Sequence, residues 1–507
     1  MRNDARLIRL LIGALAASPT LAAAQAKRAA APDFAAFDRY VAQAARDWHI
    51  PGLAIAVVKD DSLVFAKGYG LIELGKPGAA DAHTRFAIGS TTKAMTSASL
   101  AMLVDEGKLR WDDRVITYIP EFQLYDPYAT RDLTIRDLLT HRSGLASADL
   151  MWARWHYPLA EMIRRLRYLP PAAPFRSEWQ YHNILYAMSG LIIERVSGMP
   201  WDAFIRTRIF APLGMTESEA LVSSIAGKAN VAIPHFEAND TVRVVPVRST
   251  DGVAAAGSVW SSVTDMSKWM RFILDSGRVG PKRLITPATF RELIAPQIRA
   301  PMTEYPALQL AKPDFFSYGL GWFIQDYAGQ QVWMHTGSID GMCAIIGLMP
   351  NERLGVYVLE NLDHAELRHA LMYSVFDLFN GGPQRDWSKD LRALFQNRAS
   401  AARGATAAAA HVVTAPTLPL ERYAGTYVDS AYGNVQVTLD SGALQAQIVN
   451  EPIARLEPWE FDTFRTRGGQ GSTSVTFVPD GAGGVTGVRI SGVVFARVRT
   501  PGRRGPS

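Results

Sequence analysis

Ser90-Thr91-Thr92-Lys93 opens the stretch Ser90 to Glu106, which reads as a helix stopped by Gly107. With Ser90 at the helix start, the i,i+3 spacing puts Lys93 on the same face, about 5–6 Å away at Cβ. A serine hydroxyl is a poor nucleophile until a neighbouring base takes its proton. Burial lowers the pKa of a lysine and turns it into such a base. The helix N-terminus adds a positive dipole where an oxyanion would develop. Ser90 is the one serine in the chain followed at +3 by lysine. A plainer reading also fits these four residues: an N-capping serine beside a solvated lysine.

Two further short motifs lie downstream. Tyr181-His182-Asn183 is a Y-x-N. A tyrosine can relay a proton, and an asparagine amide can orient both a lysine and a substrate carbonyl. Tyr432-Gly433-Asn434 has the same pattern and reads as a turn between strands. His335-Thr336-Gly337 stands just before an apolar run. Gly337 permits close approach of a substrate. The next amide, that of Ser338, can pair with the Ser90 amide as an oxyanion hole. His335 and Thr336 are candidates to grip a polar end of the substrate. Each tripeptide alone is also what a turn or a polar strand start looks like.

The order S-x-x-K, Y-x-N, H-T-G resembles that of serine β-lactamases and penicillin-binding proteins. Other stretches strengthen the resemblance to the class C β-lactamase and DD-peptidase family: Ile50-Pro51-Gly52, Leu138 to Leu145, Pro212 to Met215 and Tyr318 to Trp322. It covers about residues 33–380. It implies Ser90 as the acylated nucleophile, Lys93 and Tyr181 sharing acid and base work, and Asn183 positioning the substrate amide. His335, Thr336 and Gly337 would bind substrate, and the Ser90 and Ser338 amides would form the oxyanion hole. The implied activity is hydrolysis of amides or esters, foremost peptides with D-residues. An esterase or β-lactamase is the alternative enzyme, and a penicillin sensor without turnover the alternative binding protein. Lysine usually stands where this chain has His335. A histidine there, with its ordinary pKa near about 6.5, would hold a substrate carboxylate only at the acid side of neutrality.

The surrounding pattern gives the fold. Residues 35–47 read as a helix. Leu53 to Val58 and Leu63 to Tyr69 read as a hairpin, and Gly341 to Met349 and Gly355 to Asn361 as two more strands. Residues 130–300 are mostly helical patterns. The expectation is an α/β mixed sheet flanked by helices with a helical subdomain, over residues 33–385. Residues 399–416, rich in alanine, read as a linker. Six β-rich runs between Tyr423 and Val498 then form a small antiparallel barrel over residues 417–500, resembling the lipocalin-like domain often appended to this family.

Composition excludes other classes. Hydrophobic residues make up 48% and charged residues 20% of 507, a globular balance. A formal charge of +5 without a basic cluster makes nucleic acid an unexpected partner. No H-E-x-x-H and no Cys/His spacing points to zinc, so no metal or cofactor is expected. The single cysteine, Cys343, reads as a core residue. His141 reads as a structural hydrogen-bonder, and Trp152, Trp155 and Tyr157 as either groove or core. Arg2, Arg6 and Arg9, the apolar run Leu10 to Leu21 and Ala22-Ala23-Ala24 form a signal-peptide pattern over residues 1–24. The expected product is periplasmic or secreted, without stable membrane insertion, acting on a small-molecule or peptide substrate. Oligomeric state is not legible.

Overall fold

The run Leu53 to Val58 is apolar at every position, and successive strand side chains point to opposite faces. Such a strand must be covered on both sides. In the computed structural model, which describes residues 32–238, 241–380, 385–407, 413–466 and 472–498, this is what happens. Leu53, Ile55 and Val57 face one core, and Ala54, Ala56 and Val58 the other. Each fully buried Ile or Val contributes about 1.5–3 kcal/mol of transfer free energy.

This strand is β1 (Gly52–Lys59), and β2 (Ser62–Gly70) returns beside it. Asp60 and Asp61 link them with φ of 49° and 66°, a two-residue turn of the type that matches strand twist. The other sheet strands are β3 (Ile298–Arg299), β4 (Phe316–Tyr318), β5 (Phe323–Tyr327), β6 (Gln330–Ile339), β7 (Met342–Met349) and β8 (Leu354–Glu360). Their spatial order is β2-β1-β8-β7-β6-β5-β4-β3. The expected sheet between helices is present, and every pairing in it is antiparallel.

Helices α1 (Phe34–Asp47), α5 (Leu367–Asn380) and α6 (Trp387–Ala407) cover one face. The other face carries α2 (Thr92–Asp105), α3 (Asn183–Ser197) and α4 (Val263–Leu274). Helix α2 is buried at every position from Thr92 to Leu103. A helix enclosed on all sides belongs to a core. That decides the reading of Lys93: it is inside the protein, not solvated.

The C-terminal unit is a closed barrel of eight antiparallel strands. The six expected runs are all strands, and Ala454–Glu460 and Thr463–Thr466 complete the closure. The first of these was missed because Glu457, Pro458 and Glu460 depress its strand character. Tyr427, Leu444, Phe464, Phe477 and Phe495 are among the side chains that fill the barrel. The first part of the expected linker is helical. Helix α6 continues across residues 399–407. Alanine is the strongest helix former, so an alanine-rich stretch next to a helix extends it.

Cys343 is buried on β7, as expected. Among the described residues, no helix is long and apolar enough to cross a membrane. The signal-peptide pattern of residues 1–24 lies outside the described residues.

Candidate active site

A tight turn, Gly89–Thr91, leads into α2 and presents Ser90 at a cleft of about 500 Å³. Lys93 follows one turn later. Its Nζ lies 3.0 Å from Ser90 Oγ, 2.7 Å from Asn183 Oδ1 and 2.8 Å from the Ala256 carbonyl. Tyr186 accepts no part in this but locks the helix turn, its hydroxyl donating to the Lys93 carbonyl at 2.8 Å. Tyr181, Asn183, His335 and Thr336 line the same cleft as Ser90, so the three sequence motifs meet although they are far apart in the chain.

Burial lowers the Lys93 pKa to about 7, with the Asp149 charge working against the fall. Near neutrality a large share of Lys93 is then an amine. Its two N–H groups are taken by Asn183 Oδ1 and the Ala256 carbonyl, which leaves the lone pair for the Ser90 hydroxyl proton. The Tyr181 ring lies 4.7 Å from Lys93 Nζ, and burial pushes its hydroxyl well above the usual tyrosine pKa. The Ser90 hydrogen bond works the other way without reversing it. Tyr181 is a phenol at neutral pH and can donate a proton.

Two glycines let the turn before Ser90 approach the end of β6 closely. Gly89 has φ of 52°, and a Cβ there would stand 2.8 Å from the Ser338 amide nitrogen. A Cβ on Gly337 would meet the Ile88 carbonyl at 1.9 Å and the Ser90 amide nitrogen at 3.1 Å. The turn before Ser90 and the end of β6 thus touch backbone to backbone. This contact brings the backbone of Ser90 and that of Ser338 together at the cleft.

His335 and Thr336 line the cleft but are engaged within the protein. His335 Nδ1–H donates to the Thr336 carbonyl at 2.6 Å, and Nε2 accepts from the Tyr318 hydroxyl at 2.8 Å. Burial, aided by the Lys93 charge, lowers its pKa to about 3. The expectation that His335 gains charge just below neutrality is therefore overturned: the ring is 1% exposed and both nitrogens are used. Thr336 Oγ1 pairs with the Tyr305 hydroxyl at 2.8 Å. Asn183 is likewise used on both ends, its Nδ2 donating to Asp149 at 2.9 Å. Through Oδ1 it orients Lys93.

His141 accepts from the His182 amide at 3.2 Å and packs against Tyr181, the rings tilted by 42° with centroids 4.3 Å apart, the structural part expected of it. Two residues escaped sequence reasoning. Asp149 binds Asn183 and takes the Trp152 indole N–H at 2.7 Å. Arg368, 3% exposed on α5, donates to the Gly337 carbonyl at 2.6 Å and to Ser338 Oγ at 2.8 Å, and so pins the end of β6. Neither belongs to a short motif. The only sequence signal was the cluster of tryptophans after Asp149.

This geometry has counterparts. The Beta-lactamase family matches residues 37–376, and "Domain of unknown function (DUF3471)" matches residues 409–500. The chain is 30% identical over 436 residues to Unguisins hydrolase ungD of Aspergillus violaceofuscus (strain CBS 115571), covering 80% of this chain and 76% of that one. The octameric penicillin-binding protein homologue from Pyrococcus abyssi superposes with a TM-score of 0.63 at 23% identity, over 88% of this chain and 97% of that one. A D-stereospecific amidohydrolase from Streptomyces sp. gives 0.56 at 22% identity, over 69% of this chain and 100% of that one. At such identities the two solved structures speak for the fold alone. The family match spans more than half of the chain and takes in all three motifs, and on that footing the protein belongs to the Beta-lactamase family of serine hydrolases.

Proposed function

We propose that Ser90 is acylated by amide or ester substrates, foremost peptides containing D-residues, and that water then releases the acyl group. The observation that carries this is the buried Lys93 Nζ 3.0 Å from Ser90 Oγ, its other contacts already filled. The substrate carbonyl carbon is attacked by Ser90 Oγ while its oxygen rests on the Ser90 and Ser338 amides. Neutral Lys93 takes the hydroxyl proton, and Tyr181 supplies a proton to the leaving amine or alcohol. Deacylation runs the same transfers in reverse, with water in place of the leaving group.

A neutral His335 offers no charge to a β-lactam carboxylate, which speaks against β-lactams and favours substrates with no carboxylate at that place. A turnover screen over D-amino acyl peptides, nitrocefin and short-chain p-nitrophenyl esters tests the reading. Peptide turnover with little nitrocefin hydrolysis is expected. Stoichiometric labelling without product release on any of them would instead establish a sensor. We further propose that residues 1–24 are removed on export to the periplasm or medium, which the mass of the natively produced protein checks.

A further inference from the structure

Trp155 belongs by sequence to the hydrolase unit, yet its side chain is fully buried among the core residues of the barrel. Its ring packs at 5.3 Å on Tyr432 and 6.1 Å on Phe495. The Trp155 carbonyl accepts from Asn450 Nδ2 at 2.7 Å. On one side of it, Arg154 forms an ion pair with Glu451 and donates to Ser491 at 2.6 Å. On the other, the Tyr157 hydroxyl donates to the Tyr432 carbonyl at 3.1 Å. The barrel therefore grips three of four consecutive residues of a hydrolase segment.

That segment also builds the cleft. One short helical turn, Leu150–Ala153, separates the gripped residues from Asp149, and Asp149, Trp152 and Ala153 all line the cleft. We propose that the barrel, through Trp155, holds Asp149 in place, and that Asp149 is a positioning residue for Asn183 and Lys93. The proposal rests on the reading of Lys93 as the base. Asp149 is the acidic group whose charge bears on Lys93. The other titratable groups facing Lys93 are Tyr181, Tyr186 of α3, His141 and His335 of β6, and burial holds all four neutral at neutral pH. Withdrawal of Asp149 then has two effects. Asn183 loses its anchor, so the lysine is less well aimed. Lys93 loses its counter-charge, so its protonation falls to lower pH.

The test uses the full chain and follows the rate of Ser90 labelling by a fluorophosphonate against pH. Asp149→Asn keeps an acceptor for Asn183 but removes the charge, and the acid limb should move down by roughly one pH unit. Trp155→Ala should move the limb in the same direction and lower the plateau rate about tenfold or more through misplacement. Trp155→Phe should restore both. Should Trp155→Ala not fold, the barrel-side double variant Asn450→Ala/Glu451→Ala replaces it, with the same expected shift. Barrel-side variants that melt earlier yet label with an unchanged pH profile would overturn the coupling. An unmoved limb in Asp149→Asn would overturn the role of Asp149. If the unmodified protein shows no acid limb that depends on Lys93, the base reading itself has failed, which is a separate outcome.

Discussion

The hydroxyl of Tyr318 donates to Nε2 of His335 across 2.8 Å, and that bond fixes the tautomer of the ring. Nδ1 carries the proton and gives it to the Thr336 carbonyl. With its pKa lowered to about 3, chiefly by burial, His335 is uncharged throughout the neutral range. The ratio of KM values for a carboxylate-bearing ester and its neutral analogue is expected to stay flat between about pH 6 and 8. Steady-state kinetics over that range decide it. A steep rise for the carboxylate substrate alone, abolished in His335→Asn, would show a charged ring after all.

Ser90→Ala is expected to abolish covalent labelling and to lower turnover by about 10⁴-fold or more, with the melting curve unchanged. Peptide mapping of fluorophosphonate-treated protein should find the adduct at Ser90. An adduct on another serine would displace the assignment.

Lys93 must be uncharged to accept the Ser90 proton, and burial sets its pKa at about 7. Acylation should therefore climb as pH rises through 7 and level off above it. Lys93→Ala and Tyr181→Phe should each slow acylation severely, while the double variant loses far less than the product of the two. Groups whose proton transfers belong to one acylation step act as a unit and are non-additive. Single-turnover rates that multiply cleanly would separate their roles.

Asp137 has no exposed side-chain surface and pairs with both Arg142 and Arg176 while completing the Thr134 capping box. Burial alone would raise its pKa. The Arg176 hydrogen bond, the Arg142 charge and the Thr134 amide outweigh this and bring it below the usual carboxylate value. Its stabilising effect is thus complete above about pH 4 and is lost as pH falls through the lowered native pKa. Asp137→Ala removes the carboxylate that two partly exposed arginines and the Thr134 cap share, and should cost about 1–3 kcal/mol in urea unfolding at pH 7. A loss under about 1 kcal/mol would mean that water replaces the carboxylate without penalty.

The parts of the site that were legible in the sequence were those that chemistry confines to short spacings. Ser90 and Lys93 share one helical turn, and Gly337 precedes the Ser338 amide, so each pair shows as a motif. The hairpin of β1 and β2 was legible because Asp60-Asp61 is a turn between apolar runs. What stayed hidden depends on tertiary contact. Asp149 reaches Asn183 across 34 positions, and Arg368 reaches Gly337 across 31, with nothing local to mark either. The tryptophan cluster could be read as groove or core, and it is both: Trp152 lines the cleft while Trp155 enters the barrel. The charge state of His335 was misjudged because burial, which decides it, is not a property of the tripeptide.

Strand β1 sits between β2, its immediate neighbour in sequence, and β8, which pairs Glu360 with Leu53. A chain emerging from its N-terminus makes the first hairpin early and then leaves open one edge of a strand that is apolar from Leu53 to Val58. Roughly three hundred further residues must follow before that edge is closed. Pairings of such span slow folding and expose a sticky template while they wait. Refolding from denaturant should accordingly be slow and prone to aggregation. The hydrolase should depend on a holding factor during synthesis far more than its finished core would imply.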